Sequence, residues 1–165
     1  MPPKRHLPRV PPASRTGKGA TDPAQDVRMT ALASPGSVRA MLIRLRDQVR
    51  CWGAADEMVA RVELVAAEIC NNIAEHGFDE RETGEMGLRV SFTPPDLLLE
   101  ITDQGAAPPA ELLHRPKLPP IDVPRLDLPE GGFGWFLVHS EVDDLIYERR
   151  AGRNRFSLRF SPRQA

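Results

Sequence analysis

Glu68, Asn72 and His76 stand one helical turn apart in the stretch VELVAAEICNNIAEHGF, residues 62–78. At about 100° per residue they form a polar row bordering an apolar stripe of Val62, Val65, Ala66, Ile69 and Ile73. Glutamate and asparagine are residue types suited to deprotonating a hydroxyl and to holding a divalent cation. A solvated helix face produces the same row, so the stretch alone does not decide between the two.

Two further motifs carry possible chemistry. Asp103-Gln104-Gly105 lies where a strand leaves its sheet. An aspartate there can accept a hydrogen bond from an exocyclic amine such as adenine's, and the glycine lets a base lie close to the backbone. Asp-x-Gly is also a common turn signal. Gly131-Gly132-Phe133-Gly134 opens a helix, and glycine-rich backbone at a helix N-terminus suits phosphate. It is neither a P-loop, since the Lys-Ser/Thr pair is missing, nor a full Rossmann fingerprint.

The elements that must position these residues follow from patterning. A short strand is expected over Val27–Leu32. Ser34-Pro35 reads as an N-cap followed by proline at the first helical position. Val38, Met41, Leu42, Leu45 and Val49 then space a helix ending near Arg50–Gly53. A long helix runs from about Asp56 to His76, with Gly77 placed to end it. Met86, Leu88, Val90 and Phe92 alternate as a half-buried strand, and a Pro94-Pro95-Asp96 turn leads into a partner strand, Leu97–Asp103. The chain closes with strands Asp144–Arg149 and Arg155–Phe160 about a turn at Ala151–Asn154, with Phe156, Leu158 and Phe160 facing one way. Helices are grouped rather than alternating with strands. The expected class is α+β: a two-layer α/β sandwich with a mixed, mostly antiparallel sheet and helices on one face.

Composition narrows the function classes. The net charge of −1 divides into a basic stretch, with Lys4, Arg5, Arg9, Arg15 and Lys18, and an acidic remainder, which argues against direct nucleic acid binding. The prolines cluster near the start of the chain and again in 108–129. Residues 1–26 are expected to be a disordered, basic leader and 27–165 a single domain. No run reaches the roughly 18 apolar residues of a membrane span, and the N-terminus lacks a signal peptide's apolar core. Cys51 and Cys70 show no metal-like spacing, and a buried, reduced Cys70 in a cytoplasmic protein is the default reading.

The motifs gain meaning from their order. Glu-x-x-x-Asn on a helix, then Asp-x-Gly, then Gly-x-Gly across a long loop resembles the GHKL superfamily of histidine-kinase-like ATPases and kinases. E-I-C-N-N-I-A-E-H-G-F, D-Q-G, G-G-F-G-W-F-L-V and the closing D-D-L-I-Y-E-R-R-A-G-R-N-R-F-S-L are most similar to the anti-sigma-factor serine/threonine kinases of bacterial partner switching. The likeness covers roughly residues 27–161. It implies a Bergerat-type ATP-binding fold using ATP and Mg²⁺, with Asn72 the metal ligand and Glu68 the general base. It implies that Asp103 binds the adenine amine, that Gly105 shapes its pocket, and that Gly132 and Gly134 meet phosphates, with 106–130 the lid. It further implies a STAS-domain anti-anti-sigma factor as substrate, a sigma factor or other regulator as the sequestered partner, and a possible homodimer.

The chain also departs from that pattern. Trp135 stands where the family usually has a small or aliphatic residue, either packing under the lid or against the sheet, or crowding the phosphates. The usual second glycine after Asp-Gln-Gly is replaced by alanine, and the lid is rich in proline. A binding-only, nucleotide-responsive switch without phosphotransfer is therefore the alternative to a kinase. His76 is either functional or a helix-end histidine packed on the sheet.

Overall fold

The computed structural model describes residues 25–79, 84–114 and 132–163. The order is β1 (Gln25–Leu32), α1 (Pro35–Cys51), α2 (Asp56–His76), β2 (Glu85–Thr93), β3 (Asp96–Asp103), a 3-10 turn (Ala110–Leu113), α3 (Gly132–Glu141), β4 (Asp144–Arg150) and β5 (Arg153–Phe160). The strands form one sheet in the order β1-β2-β3-β5-β4. All four pairings are antiparallel, the limiting form of the mostly antiparallel sheet expected. Gln25 and Asp26 belong to β1 rather than to the leader, while 1–24 and most of the expected lid, 115–130, lie outside the described residues.

Local signals explain the helices. Ser34 caps α1, its hydroxyl accepting from Ser37 N–H at 3.3 Å, with Pro35 following. Gly53, at φ 81°, supplies the left-handed residue that closes α1, and Ala54 N–H reaches back to Val49 C=O. Gly77 ends α2 as expected but at φ −74°, so a left-handed cap is not its role.

The period-2 and helical stripes meet in one core. Met86, Leu88, Val90 and Phe92 of β2 and Phe156, Leu158 and Phe160 of β5 are buried on the inner face. Against them pack Val38, Met41, Leu45 and Val49 of α1, and Val62, Val65, Ala66, Ile69 and Ile73 of α2. The outer face stays open to solvent, with Leu98 and Ile146 exposed among ion pairs such as Arg89–Asp26 and Arg159–Asp144.

One buried charge was not legible in the stripe. Arg61, 5% exposed within α2, donates to Glu141 C=O from Nε at 3.0 Å and Nη2 at 2.6 Å, and to Ser161 C=O from Nη1 at 2.8 Å. Its guanidinium lies 5.7 Å from the Phe160 ring centre. It therefore ties α2 to the end of α3 and the end of β5. Replacing it strands two carbonyls and opens space. Arg61→Leu should lower the unfolding free energy by about 3 kcal/mol in urea melts, and a loss under about 1 kcal/mol would show the clamp to be dispensable.

Candidate functional site

The C-terminal half of α2, the end of β3, the start of β5 and the first turn of α3 surround a cavity of about 530 Å³. Its α2 wall comes from Ile69, Asn72 and Ile73, so the apolar stripe and the polar border both face it. Asn72 Nδ2–H donates to Glu68 C=O at 2.6 Å, one turn back, which leaves Oδ1 as an acceptor. His76 stands at the cavity's edge with its side chain 74% exposed, 3.8 Å from Glu75, and does not pack on the sheet.

Asp103, 2% exposed, also lines the cavity. Its Oδ1 accepts from Gly105 N–H at 2.7 Å, the local hydrogen bond of an Asx turn. Its Oδ2 is buried without a hydrogen-bond partner among the described residues. The turn bond thus occupies Oδ1 and leaves Oδ2 uncommitted. A buried, unpaired carboxylate oxygen is costly, and a donor arriving in the cavity would relieve it.

Gly105 has a distinct constraint. A Cβ there would collide with the backbone of Gly77, whose C=O accepts from Ala106 N–H at 2.7 Å. The missing side chain of Gly105 lets the loop after β3 close onto the end of α2, so that Asp103 and Asn72 line one cavity. Beyond that loop, the 3-10 turn is held to α3 by His139 Nε2–H, which donates to Leu112 C=O at 2.8 Å. Only this first part of the expected lid falls among the described residues.

Gly132 begins α3, and Gly134 lies against Glu68: a Cβ at position 134 would strike Oε2 and stand 3.0 Å from Cδ. Glu68 is thereby set beside the first turn of α3, where backbone N–H groups lack helical partners. Its neighbour Trp135 is 2% exposed, with its ring 5.9 Å from that of Phe156. The tryptophan is part of the core and of the cavity wall, as the packing alternative required.

The residues that hold Asp103 were missed in the sequence. Asn154, 1% exposed, donates to Asp103 Oδ1 at 2.9 Å and to Ala106 C=O at 3.0 Å. Its own Oδ1 accepts from Tyr147 Oη–H at 2.8 Å and from Arg149 Nη1–H, which also donates to Gly105 C=O at 3.0 Å. A turn read over Ala151–Asn154 kept Asn154 out of the sheet. The turn is shorter: Ala151 and Gly152 both take positive φ, Arg150 pairs with Arg153, and Asn154 falls opposite Asp103. A two-residue turn with both residues left-handed has a recognisable glycine signal, but Ala151 in the first position hides it.

Residues 31–160 match the histidine kinase-like ATPase domain. The chain belongs to that family. It is 28% identical over 130 residues to the serine-protein kinase RsbW of Halalkalibacterium halodurans, spanning 78% of each chain. To the serine/threonine-protein kinase BtrW of Bordetella bronchiseptica it is 32% identical over 117 residues, spanning 70% of this chain and 76% of that one. A similar protein in Clostridium botulinum, the anti-sigma F factor, is 26% identical over 91 residues, spanning 54% of this chain and 61% of that one. Among solved structures, the RsbU and RsbW domains of a Mycobacterium tuberculosis protein share the fold. That match has a TM-score of 0.60 at 15% identity and covers 83% of this chain and 32% of the other.

Cys70 reports on the packing behind the site. Burial, and then the nearby Asp103 carboxylate, push its thiol up to about 12. Between the usual 9.0 and that value the unfolded chain releases this proton while the folded chain keeps it, so stability falls as pH rises across the window. Cys51 is exposed. At pH 8 a thiol reagent should modify Cys51 in the native protein and reach Cys70 only in denaturant. Rapid native labelling of both thiols would show α2 to be loosely seated.

Proposed function

We propose that the protein is a Mg-ATP-dependent serine/threonine kinase that phosphorylates a STAS-domain anti-anti-sigma factor and sequesters a sigma factor. The observation that carries the nucleotide site is Asp103 Oδ2, an unpartnered buried acceptor in the cavity that Asn72 lines. Adenine's amino group supplies the missing donor. The kinase chemistry rests on Glu68 beside the α3 N-terminus, and on family membership with relatives named as serine and serine/threonine kinases. The sigma-directed part is supported by the relative named anti-sigma F factor. A cytoplasmic location and a possible homodimer belong to the same reading. No described helix is long and apolar enough to cross a membrane.

The residues fit a metal-bound triphosphate. Asn72 commits its N–H to the helix and keeps a neutral oxygen, a suitable ligand for Mg²⁺. When bound, the metal offsets phosphate charge at a site whose described lining has no lysine or arginine. Gly132 and Gly134 offer backbone N–H groups to the phosphates. Gly134 has a second duty, since any side chain there would displace the Glu68 carboxylate. Glu68 takes the proton from the attacking serine or threonine hydroxyl as its oxygen bonds the γ-phosphorus, while the bond from that phosphorus to the β–γ bridging oxygen breaks and ADP leaves. Asp103, held by Gly105 and Asn154, orients the adenine so that the phosphates run toward α3. The transferred phosphate adds about −2 charge to the substrate and alters its docking.

Incubation of the full chain with Mg-ATP and a STAS-domain partner should add the mass of one phosphate to that partner. Nucleotide binding without transfer would leave a binding-only switch in the kinase's place. Glu68→Ala should keep ATP binding while transfer falls at least about 100-fold, and equal transfer by the variant would remove Glu68 as base. Asp103→Ala should weaken ATP binding about tenfold or more, read as lost protection in a thermal melt. Undiminished protection would place the base elsewhere.

A further inference from the structure

Asn154 is a polar side chain bonded to Asp103, yet it has nothing left to offer a ligand. Its amide nitrogen donates to Asp103 Oδ1, Gly105 C=O and Ala106 C=O, and its oxygen accepts from Tyr147 and Arg149. Those bonds use its full donor and acceptor capacity. Among the described residues, two lining side chains keep a buried polar atom without a partner: Asp103 itself, through Oδ2, and Trp135, through Nε1–H. Trp135 is 2% exposed, and its Nε1 is itself buried. Folds rarely leave a buried donor and a buried acceptor unpaired in one cavity unless a molecule that enters it pairs with both.

The position of Trp135 is as specific as its chemistry. Its ring packs 5.9 Å from Phe156, two residues beyond Asn154 on β5, and Asn154 is the cross-strand partner of Asp103. The indole thus belongs to the Asp103 end of the cavity, although its backbone neighbour Gly134 touches Glu68.

We propose that Trp135 is a base-reading residue, its indole N–H donating to a ring nitrogen of the adenine whose amino group donates to Asp103 Oδ2. This rests on the ATP-site reading and deepens it. Adenine presents one amino donor and three ring nitrogens, N1, N3 and N7, that accept. Guanine carries a carbonyl in place of the 6-amino group, and that oxygen would face the Asp103 carboxylate, acceptor against acceptor. An aliphatic residue at position 135 could fill the same space but could not read a ring nitrogen.

Calorimetric titration of the full chain and of Trp135→Phe with ATP and with 1-deaza-, 3-deaza- and 7-deaza-ATP tests this. Each analogue replaces one ring nitrogen with C–H. One of the three should bind the wild-type chain about fivefold more weakly than ATP, and that loss should vanish in Trp135→Phe. No loss with any analogue, or an equal loss in both proteins, would overturn the role of Trp135. Should the variant fail to fold, heteronuclear NMR of the wild type decides, with indole signals assigned through Trp52→Phe. The Trp135 Nε1 proton should move downfield with ATP but not with the weakened analogue, and identical shifts would count against the bond. Failure of ATP to bind the wild type would sink the ATP-site reading and this inference with it. Binding without discrimination among analogues would overturn the Trp135 assignment alone.

Discussion

The hydrogen bond from Asn154 Nδ2 to Asp103 Oδ1, 2.9 Å long and buried, gives the two oxygens of one carboxylate different situations. Oδ1 is saturated by Asn154 and by Gly105 N–H, and so cannot turn toward the cavity without breaking both bonds. Oδ2 is left unpaired as a consequence. Tyr147 and Arg149 bear on the same asparagine from β4, so the edge hairpin braces a residue on the central strand. Each bond in such a buried chain limits the freedom of the next, and a displaced member leaves the others unsatisfied.

Helix α2 joins this arrangement to the rest of the fold. Its apolar stripe is committed to the sheet, which fixes its rotation and therefore the direction of the Glu68–Asn72 border. Arg61 sets the other end by binding the carbonyls of Glu141 and Ser161. Close backbone contact between Gly77 and Gly105 then sets the distance from α2 to the Asp103 turn. Rotation, anchor and spacing are separate constraints, and the cavity needs all three.

Glycine serves two purposes at α3. Backbone N–H groups in its first turn suit an anion, a local electrostatic property of any helix start. The absence of a side chain at Gly134 also lets a carboxylate from another helix come close, which is a packing property. The carboxylate of Glu68 and the first-turn N–H groups of α3 thus share one small space, the arrangement that the proposed base and phosphate cradle need. In such a space positioning carries most of the catalytic effect, as phosphoryl transfer requires.

Much of this was legible in the chain. Binary patterning on β2, β5, α1 and α2 placed the core, since burial depends chiefly on period and polarity. Glu68, Asn72, Asp103 and Gly134 were visible because their spacing is local or their order along the chain is informative. Less was legible wherever a partner lies far away in sequence. Arg61 gave no signal in the helical pattern, because its partners Glu141 and Ser161 lie 80 and 100 residues away. Gly77 looked like a helix stop, while its contact with Gly105 belongs to tertiary packing. Asn154 was read as turn, and a hairpin tighter than expected moved it opposite Asp103. Residue types and their periodicity, by themselves, determined the elements and the candidate groups. Only the folded chain decided which oxygen of Asp103 is free and which indole shares its cavity, because strand register and close backbone approach are set by contacts between segments distant in sequence.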